Sequence, residues 1–202
     1  MDENKNNGKW IDTTPIAIFI VGGILLGGFW PMLVGYVSMG AAPLVGGIVL
    51  ASSVVFIILM VIEIKNGNLF GATLNGVFGV LLGLAPGFVF LLQFLAGGMG
   101  IEVDPRIVGW YFLYVSIVLL VVGIVAGGMF WHMAIAFWVL AVDVFLLGLV
   151  FAGYLSTSWE TALGWGIFAG GVYFLYMATA SFLGAMLRKP VLPTGGPLFK
   201  AG

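Results

Sequence analysis

The stretch IEIKNGNLFGATLNGVFG, residues 62–79, decides how the chain folds. Glu63, Lys65, Asn66 and Asn68 fall within six residues, between long apolar runs. With Gly67 among them, they have the chemistry of a polar turn between helices. The apolar runs on either side are each long enough to cross a bilayer, which takes about 20 residues. Inside the second run stands Asn75, a polar group that needs a partner.

The rest of the chain has the same texture. It has 202 residues, is 62% hydrophobic and only 7% charged. Its mean hydropathy is +1.20. A soluble domain is about 25% charged, so the composition indicates an integral membrane protein. Residues do not alternate apolar and polar as in a transmembrane barrel. The fold class expected is therefore all-α. Six spans are expected, at about 15–37, 42–62, 69–96, 107–128, 130–153 and 162–187. The breaks are SMGAAP (38–43), EIKNGN (63–68), GGMGIEVDPR (97–106), a tight turn at Gly127-Gly128, and STSWET (156–161). Merging 107–153 into one helix would give about 70 Å at 1.5 Å per residue, too long for one crossing. The organisation expected is a polar tail over 1–14, a six-helix domain over 15–187 and a tail over 188–202. The polar N-terminal segment does not resemble a signal peptide, because the apolar run after it is long enough to span.

Charge sets the expected orientation. Six spans put both termini on one side. That side collects Lys5, Lys9, Lys65, Arg188, Lys189 and Lys200, against Arg106 alone on the other. The positive-inside rule places both termini in the cytoplasm. Trp110, Trp131, Trp159 and Trp165 fall near span ends, as interfacial aromatics do.

Several function classes drop out. Net charge is −1, and the chain contains no Cys and one His. Nucleic-acid binding, thiol chemistry and a His-rich metal site are therefore not expected. No GxxxxGK[ST] loop is present to drive transport with a nucleotide. Neither a nucleophile–His set nor paired acids stand out. No enzyme, cofactor or metal is expected.

Glycines spaced by four, at Gly23/Gly27, Gly79/Gly83/Gly87, Gly123/Gly127 and Gly166/Gly170, suggest closely packed helices. Pro86 should kink the third span or loosen its hydrogen-bond ladder. Asp143 lies mid-span, where a carboxylate costs about 2.5–3.5 kcal/mol to insert. It should face the bundle interior, as an interhelical bond or as a proton or lumen site, with Asp143→Asn altering the pH dependence of transport. Asn75 shares a helix face with Phe78 and Gly79. It is an interhelical bond or a donor to a solute. His132 reads as an interfacial packing residue.

Two motifs carry a resemblance. Glu63, Gly67, Asn68, Phe70, Gly71 and Thr73 form E-x-x-x-G-N-x-F-G-x-T, which resembles the acetate uptake transporter family. GWGIFAGGVYFLYMA (164–178) and VLPTG (191–195) resemble its last span and tail, and the likeness covers residues 12–196. The resemblance implies a homohexamer in the cell membrane. Each protomer would be a six-helix bundle with its own pore for acetate or similar small monocarboxylates. It also implies a constriction of Phe, Tyr and Leu, which by register becomes Val21, Phe78 and Val142. Those replacements are smaller or less polar, so the path would be wider and drier. Asn75, Asp143 and Thr73 are then the candidate polar groups along it. The family's N-P-A-P-L-G-L segment is replaced by DTTPIAI (12–18), which keeps only Pro15. Two other readings stand beside this one. One is a channel for neutral solutes such as undissociated acid, urea or short amides. The other is a structural subunit of a membrane complex, which would require a sealed axis and a fully bonded Asp143.

Overall fold

The computed structural model describes residues 12–199. Lys5, Lys9 and Lys200, which enter the orientation argument, lie outside the described residues. Six helices are long and apolar enough to cross a membrane. They are α1 (Thr14–Leu33), α2 (Met39–Lys65), α3 (Leu69–Gly98), α4 (Arg106–Gly127), α5 (Trp131–Phe151) and α6 (Trp159–Leu187). No strand occurs among the described residues. The fold is all-α with six spans, as the apolar runs indicate, and the tight turn at Gly128 does separate α4 from α5.

The helices form a ring in the order α1, α6, α5, α4, α3, α2. The closest pairs are α4 with α5, α2 with α3 and α1 with α6. Each pair is drawn together where two glycines meet. A Cβ on Gly109 of α4 would lie 2.3 Å from the Ala152 nitrogen and 2.5 Å from the Gly148 carbonyl oxygen of α5. Cβ atoms on Gly46 and Gly22 would stand 3.0 Å and 3.3 Å from the carbonyl oxygens of Gly87 and Gly171. Lipid tails give helices no hydrophobic reason to associate, so backbone proximity and dispersion must supply it. Of the glycines spaced by four, Gly79, Gly83, Gly87, Gly123, Gly127 and Gly166 do lie against a neighbouring element. A Cβ on Gly23, Gly27 or Gly170 would meet nothing within 4 Å.

Proline shapes two spans. In α3 the backbone widens to a π-helix over Val77–Leu84 immediately before Pro86. Proline lacks an N–H, and its ring crowds the carbonyl of the preceding turn. The wider turn relieves that crowding, and the Tyr111 hydroxyl of α4 donates to the Leu81 carbonyl at 2.8 Å. The same arrangement occurs in α1, where Leu25–Phe29 is π-helical just before Pro31. The ladder is thus loosened as expected of Pro86, and α1 repeats the device.

The polar turn at 63–68 is closed locally. Gly67 adopts φ +70°, a conformation that glycine takes without steric cost. The Asn68 N–H donates to the Glu63 carbonyl at 2.9 Å, the return bond of a helix C-terminus closed by a left-handed glycine. At the other end of the chain, α6 ends at Arg188, also left-handed at φ 52°. The segment after it lies across the α4–α5 turn. The Leu198 N–H donates to the Gly127 carbonyl at 2.7 Å, and the Trp131 N–H to the Gly196 carbonyl at 2.9 Å. Tyr176 donates to the Pro193 carbonyl at 2.7 Å. His132 bonds the Tyr173 hydroxyl at 2.6 Å through Nδ1 and reaches the Thr194 carbonyl through Nε2. His132 is a packing residue that fastens this strap.

Candidate functional site: two cavities divided by an aromatic septum

The ring encloses two cavities. The larger holds about 280 Å³ and opens toward the face carrying the 34–42 and 99–105 connections; Met39, Ala42, Gln93, Pro105 and Glu160 mark that end. The smaller holds about 90 Å³ near the opposite face, where Thr14, Glu63, Asn68, Met129 and Ser181 line it. Val21 and Phe78 border both. Between the cavities Phe78 stacks on Phe56 of α2 at 5.9 Å between ring centres. On its other side it meets Phe137 of α5 at 6.3 Å, and Phe137 meets Phe174 of α6 edge-on at 5.8 Å. All four rings are buried. A septum of Phe rings from four helices, with Val21 from a fifth, therefore separates the two spaces.

The septum follows from local geometry. A Cβ on Gly79 would lie 2.9 Å from the Phe56 Cβ, so the missing side chain lets α2 and α3 approach. The two rings can then stack beside it. Aromatic pairs of this kind are worth about 0.5–1.5 kcal/mol beyond their burial.

The turn motif at 63–71 builds the mouth of the smaller cavity. Glu63 is 3% exposed and accepts two hydrogen bonds. One comes from the Thr13 hydroxyl ahead of α1, the other from Asn68 Nδ2 at 2.8 Å. Asn68 also caps α3, its Oδ1 accepting from the Gly71 N–H at 3.0 Å. A Cβ on Gly71 would stand 2.6 Å from Asn68 Nδ2 and 3.0 Å from Glu63 Oε2. The motif is thus a junction. One carboxyl ties the start of α1 to the end of α2, and the asparagine that helps hold it starts α3. Glu63, Asn68, Phe70 and Gly71 all line the smaller cavity.

The other candidate residues divide. Val21, Phe78 and Asn75 come together: Asn75 is 4% exposed and lines the smaller cavity one turn from Phe78. Val142 does not join them. It is 54% exposed and borders neither cavity. The α5 residues that line the cavities are Met133, Phe137, Leu140, Val144, Leu147 and Phe151, at helical spacing. Position 142 is two residues from Leu140, about 200° around the helix. Thr73 is likewise exposed on the outside of α3, because positions two apart from Asn75 do not share a face. Asp143 does face inward, but toward α6 and not into either cavity. A Cβ on Gly166 would lie 2.3 Å from its Oδ2, and that oxygen has no hydrogen-bond partner among the described residues.

Among the described residues no Lys, Arg or His lines either cavity, and the acidic lining residues are Glu160 and Glu63. No cluster of His, Cys, Asp or Glu able to hold a metal occurs among the described residues. Thr13, Phe56, Phe137 and Phe174 carry no sequence signal of their importance. Three are among 17 Phe in a chain that is 62% hydrophobic. Thr13 stands in a segment where the expected motif has diverged.

No family model and no curated protein matches the chain. Among solved structures the architecture has a counterpart. This is the fold of the bacterial acetate channel SatP. The two superpose with a TM-score of 0.78 over 93% of this chain and all of that one, at 19% sequence identity. The resemblance to the acetate uptake transporter family, drawn from the 63–73 turn and the C-terminal motif, is borne out at the level of fold.

Proposed function

We propose that the chain passes small monocarboxylates, acetate foremost, along the axis of its own six-helix bundle, through Val21 and Phe78. The observation that carries this reading is the pair of cavities on opposite sides of one septum, in a fold shared with the acetate channel SatP. The protein would sit in the cell membrane as a homohexamer, each protomer with its own path and both termini cytoplasmic. The apolar outer faces of the helices, with Leu44, Ile107 and Ile117 well exposed, suit lipid and neighbouring copies. Lys65, Arg188 and Lys189 on the face of the smaller cavity suit a cytoplasmic location for that face. No step calls for a cofactor or for catalysis.

The described lining residues, which include no base, favour a second reading, passage of neutral solutes. A carboxylate leaving water must have its hydration replaced by donors, or be protonated. The structural-subunit reading is weaker, since it requires a fully bonded Asp143, and Asp143 Oδ2 has no partner among the described residues. Acetate uptake into proteoliposomes over pH 5–8 tests the proposal. Uptake well above empty vesicles, raised about fivefold or more by Phe78→Ala, is the expected result. No uptake above empty vesicles at any of these pH values would refute it.

A further inference from the structure

Asn75 stands out in the smaller cavity. The residue is 4% exposed, and it lines the same space as the septum residue Phe78. Its amide has no hydrogen-bond partner among the described residues and, unlike Asp143 Oδ2, is not sealed off from the space of the cavity. A buried amide with two donors and an acceptor seldom goes unpaired, because nothing then repays its lost hydration. The remaining polar groups nearby are largely committed. Asn68 is spent on Glu63 and the Gly71 N–H, and both Glu63 oxygens already accept. Asn75 therefore aims an unmet donor–acceptor pair into a space of about 90 Å³, room for roughly three waters at ~30 Å³ each or one very small solute.

The amide selects by chemistry. A planar group with one acceptor and one donor, such as an undissociated carboxylic acid or a primary amide, satisfies both sides of Asn75 at once. A carboxylate has acceptors only and would leave the Asn75 carbonyl oxygen unmet. Glu63, the one titratable side chain among the described lining residues, offers it no further donor, since its carboxyl already accepts from Thr13 and Asn68. We infer that the cavity beneath Phe78 is a binding subsite for the neutral donor–acceptor headgroup of a small acid or amide, held by Asn75. This rests on the proposed axial path and names the form of solute that path takes up.

Acetamide, which cannot ionise, is the probe. Osmotic swelling of proteoliposomes in acetamide gradients at pH 7 should be fast and saturable. Asn75→Leu, which keeps the volume and removes both hydrogen-bonding groups, should slow it at least fivefold. Asn75→Ala should slow it too, which separates lost hydrogen bonds from a filled cavity. Butyrate should compete more strongly at pH 5 than at pH 7 at the same total concentration, showing that the acid occupies the same site. Acetamide rates within twofold of wild type in both variants would overturn the inference. So would acetate passage with acetamide excluded, and that result would leave the axial path standing. Passage of neither solute above empty vesicles would remove the path and the subsite together.

Discussion

Glu63 shows how much one side chain holds in place. Its carboxyl accepts both from the buried Thr13 hydroxyl and from the amide of the exposed Asn68. Replacing it with Leu strands the buried Thr13 hydroxyl, and an unsatisfied buried group costs about 1–3 kcal/mol. Glu63→Leu is therefore expected to lower the thermal unfolding midpoint in detergent clearly, and Asn68→Ala to lower it less, since a lost N-cap costs about 1 kcal/mol. Equal melting of Glu63→Leu and wild type would contradict the junction. Asp143 makes the opposite case. A mid-span carboxylate suggests a lumen, yet the structure seats it against Gly166, off both cavities. Asp143→Asn is expected to leave acetate flux within twofold of wild type across pH 5–8. A change of more than fivefold, measured in proteoliposomes, would mean that the path runs along the α5–α6 seam. The sequence displays Asp143 and Asn75 because each contrasts with apolar surroundings. It hides Phe56, Phe137 and Phe174, whose role comes only from where four helices converge.

At the scale of elements, the six spans and their turns are legible because apolar length, Gly and Pro are strong local signals. The facing direction of a residue is less so. Val142 and Val21 look alike in sequence, and hydrophobicity cannot orient a helix whose outer face meets lipid and whose inner face meets Phe. The π-helical segments ahead of Pro31 and Pro86 are equally silent, since only the prolines that require them can be read. Helix pairing can be tested at Gly109. A valine there would collide with the Ala152 backbone, 2.3 Å from the first added carbon. Overpacking of this kind costs about 1–3 kcal/mol, occasionally more. Gly109→Val is expected to destabilise the bundle, while Gly23→Ala, with nothing within 4 Å of its added carbon, should leave the protomer's stability unchanged; melting curves of the two variants separate them. The 99–105 connection carries a fixed charge pair. Hydrogen bonds from Arg106, at 2.9 Å and 2.6 Å to the two oxygens, hold Asp104 down at about 2. A carboxyl depressed in the folded state stabilises it above the unfolded pKa and stops doing so only as pH falls through about 2. This pair therefore adds no pH dependence to stability between pH 5 and 8.

At the scale of the molecule, helices joined through glycine contacts form a ring around an interior that is apolar on one side of a Phe septum and carries Asn75 and Glu63 on the other. The polar junction at 63–71 and the C-terminal strap both belong to the face of the smaller cavity. The two motifs that resemble the acetate uptake transporter family thus serve architecture first: one seats three helix ends, the other locks the α4–α5 turn. That the septum divides an axial path is the central claim, and the lack of any Cys in the chain allows a direct test. Single cysteines at Leu147 in the larger cavity and at Ser181 in the smaller one can be exposed to a membrane-impermeant thiol reagent from either side of oriented vesicles. Each should react from one side only, the two from opposite sides, and Phe78→Ala should let the reagent reach both positions from both sides. Reaction of both from the same side, or no effect of Phe78→Ala on a reagent small enough to pass a missing ring, would contradict it.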